Sequence, residues 1–214
     1  IYQGGFDKCE TDWVIRMDLD YFIHENDFEK LKFYKEKYKD SPAIVMPQYQ
    51  FFTPERYQLK TKLCLVLNKK MFPNIKLNGG TDKMLATLDG NLLTYKNVPQ
   101  VKIPIWQYDS MFRTKNIIGE DRARFARAWK RTFGNYGDRG GDNPDIAFDA
   151  WFDMVKIRYS KHLFRKKINN HPRFIKKKLK DLNSQQFGFS AFGLKNNTQF
   201  NYFEFPRELK KKYF

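Results

Sequence analysis

The sequence predicts an α/β protein: a mixed sheet flanked by helices, continued by a basic and mainly helical C-terminal extension. Three observations predict it. Short runs of β-branched and aromatic residues alternate with runs of helical period in the first part of the chain, and helical patterns dominate later. Hydrophobic residues make up 41% and aromatic residues 17% of the 214 positions, enough for a real core and too much for a disordered chain. Basic charge is unevenly spread: residues 151–214 hold 16 basic and 4 acidic side chains, whereas residues 1–150 hold 24 and 20.

Each element follows from its local pattern. Asp12–Met17 reads as a short strand that runs into Asp18-Leu19-Asp20. Asn26 or Asp27 then caps a helix to about Lys39, with Phe28, Leu31, Tyr34 and Tyr38 at helical spacing, and Pro42 closes it. Strands are expected at Ala43–Phe52, Lys62–Leu67 and Val101–Gln107, with a Gly/Asn-rich loop, Asn78-Gly79-Gly80-Thr81-Asp82, between the last two. A helix spans Asn116–Thr132 and ends in the glycine-rich stretch 134–141. Asn143-Pro144 is a helix start, a cap residue followed by proline in the first turn. The helix runs from Asp145 to about His162 and buries Ile146, Trp151, Phe152 and Val155. After Pro172 a lysine-rich helix covers about Arg173–Asp181. We place one catalytic body at residues 1–142 and the basic helical extension, packed on it, at 143–214.

Composition excludes several classes. Mean hydropathy is −0.73, and no apolar run nears the roughly 18 residues a membrane span needs, so no transmembrane segment is expected. Two cysteines, Cys9 and Cys64, make neither a disulfide scaffold nor a cysteine-rich zinc site, and point to a reducing, cytoplasmic setting. The chain opens on Ile1 with no signal-peptide pattern, and that start reads as a cut. The net charge of +16 suits a polyanionic partner: nucleic acid, a phosphorylated sugar or an anionic membrane surface touched peripherally. Solubility alone is the plain alternative.

The stretch that carries chemistry is DWVIRMDLDYFI, residues 12–23. Two carboxylates two residues apart at a strand end point to one side. Hard oxygen ligands of this kind suit Mg²⁺ or Mn²⁺, ions that share their shell with phosphate oxygens. The alternative is that Asp18 and Asp20 only cap a turn. The same stretch resembles the strand and metal loop of glycosyltransferases of the GT-A fold. The order of the downstream segments is similar to family-2-like members: a loop with Gly79-Gly80, then IPIWQYD ending at Asp109, then the arginine-rich helix EDRARFARAWKR. The resemblance is specific over about residues 10–25, loose to about 132, and covers little of the C-terminal third.

The resemblance implies transfer of a sugar from a nucleotide-diphosphate sugar to an acceptor hydroxyl. Asp20 would hold the divalent ion, Asp18 the ion or the ribose, and Gly79 and Gly80 the donor. Asp82 and then Asp109 would be the base. The acceptor would be anionic: a glycan, a lipid-linked sugar or nucleic acid. GT-A folds place a nucleotide-binding βαβ unit before this motif, and only 17 residues precede Asp18, so the chain resembles the later part of such a domain.

Other features have plainer readings. Asp145, Asp149 and Asp153 share a helix face and read as a solvated acidic face rather than a second metal site. His24, His162 and His171 show no metal-ligand spacing, although the GT-A resemblance implies that a late histidine, His162 or His171, could serve as a further ligand. Arg124, Arg127 and Arg131 share a face that could grip a phosphate or pair with Glu120 and Asp121. The run 161–180 holds 9 Lys or Arg and no acid. It supports the rival function, a non-catalytic nucleic-acid-binding module. A nuclease built on Asp18 and Asp20 is a third reading.

Overall fold

The computed structural model describes residues 2–60, 62–78 and 85–196 and is mixed α/β. In chain order the helices are α1 (Tyr2–Lys8), α2 (Phe28–Lys37), α3 (Lys115–Phe133), α4 (Pro144–Tyr159), α5 (Arg173–Lys180) and α6 (Phe187–Ser190). The first strands are β1 (Trp13–Ile15), β2 (Tyr21–Ile23), β3 (Ala43–Met46), β4 (Gln48–Thr53), β5 (Arg56–Leu59) and β6 (Leu63–Asn68). They are followed by β7 (Lys76–Asn78), β8 (Leu85–Leu88), β9 (Asn91–Leu92), β10 (Ile105–Gln107) and β11 (Phe164–Arg165). The chain forms two compact units, residues 1–49 with 59–107 and residues 50–58 with 108–214.

In the first unit, β6 lies between β1 and β3, antiparallel to both. All four residues of β3, Ala-Ile-Val-Met, are buried, because the two faces of this sheet are both covered. Ala43 and Val45 join one core with Phe6, Leu67 and Ile75, while Ile44 and Met46 join another with Leu31, Leu65 and Ile103. That split is the period-two alternation of a strand. Strands β7, β8 and β9 form an antiparallel meander. The expected strand 43–52 is two strands, since Pro47 has no N–H to continue the ladder. The expected strand 101–107 is shortened to β10, with Pro104 just before it. Of the residues spaced for the α2 face, Leu31 is buried, but Phe28 is 48% exposed.

In the second unit α3 packs on α4. They approach so closely that a Cβ at Gly119 would lie 2.8 Å from the Pro144 carbonyl oxygen. Helix α3 ends where Gly134 takes a left-handed conformation (φ 78°) and its N–H donates to the Lys130 carbonyl at 2.8 Å. Asn143 caps α4 as expected: its Oδ1 accepts from the Asp145 N–H at 2.9 Å and the Ile146 N–H at 3.2 Å. Replacing Asn143 by Ala should cost about 1 kcal/mol, read as a lower midpoint in urea unfolding. Trp151, Val155 and Tyr159 line the core with Phe52, Ile118, Phe148 and Phe187. Ile146, expected inside, is 55% exposed, because it lies off the stripe that Ala147, Trp151 and Val155 define. Strand β5 pairs with β11, stacking Tyr57 on Phe164 at 5.2 Å.

Candidate functional site

Asp18 and Asp20 flank a reverse turn between β1 and β2. Strand β1 pairs with β6 through Ile15, and Arg16 N–H donates to the Leu65 carbonyl at 2.9 Å. The chain then folds back: Tyr21 N–H donates to the Asp18 carbonyl at 3.0 Å. From Tyr21 it runs as β2, antiparallel to β10. Leu19, between the aspartates, is fully exposed. Strand alternation therefore does not orient these carboxylates, because residues 18–20 are not extended. Neighbouring side chains do.

The Arg16 Nη2 group donates to Asp18 Oδ1 at 2.8 Å and Oδ2 at 3.0 Å, and Tyr2 OH donates to Oδ1 at 3.1 Å. The guanidinium also lies 5.0 Å from the centre of the Tyr2 ring, in cation–π range. Asp20 Oδ2 accepts from the Gln107 amide at 3.0 Å. Gln107 is fixed in turn by Gln48, whose Nε2 donates to Gln107 Oε1 at 2.6 Å and to Tyr21 OH at 3.0 Å. Both glutamines are buried. Burial, reinforced by Asp18 and Asp20, pushes the Tyr21 phenol well above its usual range, so it stays protonated.

Among the described residues, no group of three His, Cys, Asp or Glu is placed to hold a metal. Two carboxylates alone suit an ion that takes its remaining ligands from water and phosphate, the usual habit of Mg²⁺. Asp18 is paired with the Arg16 guanidinium, and the Gln107 amide orients Asp20.

Asp109 belongs to the second unit, just after β10. Gln50 Nε2 donates to its Oδ2 at 3.0 Å, and Ser110 Oγ donates to its Oδ1 at 3.2 Å. Gln58 Nε2 donates to Gln50 Oε1 at 2.5 Å. The expected residues Gly79, Gly80 and Asp82 lie outside the described residues. The glutamines that hold both aspartates were not among the expected site residues. Their one sequence signal is Gln48 and Gln50 recurring with period two inside an otherwise aromatic strand.

Two of the three histidines serve the interior, and His24 caps a turn. His24 Nδ1 accepts from the Asn26 N–H at 3.1 Å and caps the turn before α2. His171 is buried, with Nδ1 2.8 Å from Tyr108 OH. His162 is buried, 3.0 Å through Nδ1 from the Arg158 carbonyl and stacked on Phe52 at 4.3 Å. A carbonyl only accepts, so Nδ1 carries the proton. Burial pushes the His162 pKa down to about 4, against the pull of the Arg158 carbonyl and the Asp109 carboxylate.

On α3, burial alone would raise the Asp121 carboxyl, but Arg122, Arg113 and Arg124 together hold it below its usual range. Arg113 pairs with it at 3.0 Å. Arg127 instead donates to the Asp142 carbonyl at 3.2 Å. The aspartates 145, 149 and 153 form an exposed face, with Asp153 paired to Lys156 at 2.7 Å. No helix among the described residues is long and apolar enough to cross a membrane. No protein-family model matches the chain, and no curated protein matches it.

Proposed function

We propose that this chain carries the metal-binding part of a GT-A-like glycosyltransferase, which moves a sugar from a nucleotide-diphosphate sugar to an acceptor hydroxyl. One observation supports it above the others: an Asp-x-Asp pair set on a reverse turn, with Asp20 oriented through a buried amide relay, Gln107 and Gln48. Asp20 is the principal ligand and Asp18 the second. Bound there, Mn²⁺ or Mg²⁺ would offset the negative charge that grows on the leaving diphosphate. Gln107 holds the Asp20 carboxylate in one orientation, so little rotamer freedom is lost on binding. Arg16, adjacent to the pair, keeps a cation beside the position where phosphates would collect. A base must also take the acceptor proton. Asp109 and Asp82 remain the candidates the resemblance suggests, and the proposal itself rests on Asp18 and Asp20.

Calorimetric titration of UDP and GDP, with and without Mn²⁺, tests this on the protein and on Asp20→Ala. Binding of one nucleotide that needs Mn²⁺, and that Asp20→Ala weakens at least about tenfold, is the expected result. Asp18→Ala should weaken it less, because Asp18 is shared with Arg16. Metal-independent binding, or equal binding by Asp20→Ala, would overturn the reading.

A further inference from the structure

A groove of about 1180 Å³ opens in the second unit beside the start of β5, the segment that follows β11, and the end of α5. Six cations line it: Arg56, Arg165, Lys166, Lys167, Lys180 and Lys195. They come from four separated stretches of sequence, so the fold gathers them. Among the described residues that line it, Glu55 is the one acid, and it pairs with Lys195 at 2.9 Å. The remaining lining side chains are Ile168 and three asparagines, 169, 170 and 196.

We propose that this groove binds the sugar–phosphate backbone of nucleic acid without reading its base sequence. The charge surplus is the first reason: six cations against one acid leave a net charge of +5 around a single concavity, more than one phosphate would need. Spacing is the second. Arg165 and Lys167 are both exposed, and Lys167 is extended (φ −72°, ψ 143°). Arg165, Lys166 and Lys167 are consecutive cations on chain that rises about 3 Å per residue, so the stretch can meet more than one phosphate along a strand. Third, asparagine amides donate to phosphate and sugar oxygens and thereby position a backbone. Fourth, no aromatic ring among the described residues lines the groove, and those residues offer no platform for base stacking. A membrane surface fits worse, since the cations surround a hollow and, among the described lining residues, Ile168 is the single apolar side chain to enter lipid. The inference uses neither Asp18 nor Asp20 and stands apart from the transfer reading.

Fluorescence anisotropy of a labelled duplex of about 20 base pairs, titrated with the protein over a range of NaCl, tests it. If five of the cations reach phosphates, the slope of log K against log salt is about −4 to −5, roughly a 500-fold loss between 50 and 200 mM. The exposed double variant Lys167→Glu/Lys180→Glu should bind about tenfold or more weaker and bring the slope about 2 closer to zero. Lys37→Glu/Lys39→Glu, with the same charge change in the first unit, should leave both unchanged. Duplexes of unrelated sequence should bind alike. Absence of salt-dependent binding overturns the proposal, as does an unchanged slope in the groove variant. Retention by phosphatidylserine vesicles but not by the duplex, lost in the same variant, would also overturn it and assign the groove to a membrane.

Discussion

Alanine at position 188 is expected to cost about 3 kcal/mol or more. Gly188 lies in α6, and its N–H donates to the Met111 carbonyl at 2.8 Å. A Cβ there would sit 2.1 Å from Met111 Cγ and 2.8 Å from the Met111 carbonyl oxygen. Met111 is fully buried, so its side chain has nowhere to turn, and the carbonyl is backbone. Relief requires the two segments to separate. That breaks this hydrogen bond and strains the next one, Phe187 N–H to the Arg113 carbonyl at 3.0 Å. Phe187 is itself a core residue, packed on Trp151 and Phe52, so the disturbance reaches the centre of the second unit. Gly141→Ala is the control, since nothing lies within 4 Å of its new methyl group. Urea unfolding of both variants checks this; equal midpoints would refute the packing argument.

Acidification from pH 6.5 to 4 is expected to remove about 3 kcal/mol of stability through His162 alone. The folded protein holds this imidazole neutral, with its pKa pushed down to about 4 by burial. The unfolded chain binds the proton near 6.5. As pH falls through that window the unfolded state takes up a proton that the folded state refuses, so unfolding becomes easier. Above pH 6.5 both states are neutral and the effect is absent. Carboxylates also titrate in this range, and a variant separates the contributions. His162→Phe keeps a ring against Phe52 and should start less stable, because the Arg158 carbonyl, which also accepts from the Lys161 N–H, loses one of its donors. Its stability should then fall less steeply with acid than that of the parent. Parallel profiles would show that His162 does not carry the effect.

Long periodic segments were legible in the sequence and short polar ones were not. Helices α3 and α4 lie within a residue or two of their expected ends, apart from the last turn of α4, because Asn143-Pro144 and Gly134 are chemical punctuation. Strand β2 was hidden behind the aspartates, and β5, Arg-Tyr-Gln-Leu, has too little apolar alternation to announce itself. The site shows the same division. Asp18 and Asp20 stand out as a local pattern, whereas Gln107 lies 87 residues from Asp20 and Gln48 lies 59 from Gln107. Those partners depend on strand pairing, which no window of sequence contains. The basic groove is similar: a lysine-rich run was visible from 161 to 180, but Arg56 and Lys195 join it only through the fold.

The partition of the chain also bears on how the protein can be made and divided. Residues 50–58 belong with 108–214, although the first unit resumes after them. They supply Phe51, which packs on Tyr108 and His171, and Phe52, which stacks on His162. A gene cut at residue 108 therefore does not yield the second unit; it yields that unit without part of its interior. During synthesis, Phe51 and Phe52 leave the ribosome well before α4 and α6 exist to cover them. The second unit is thus assembled from a piece that must wait, and its completion is coupled to the synthesis of the later helices rather than to that of residues 50–58.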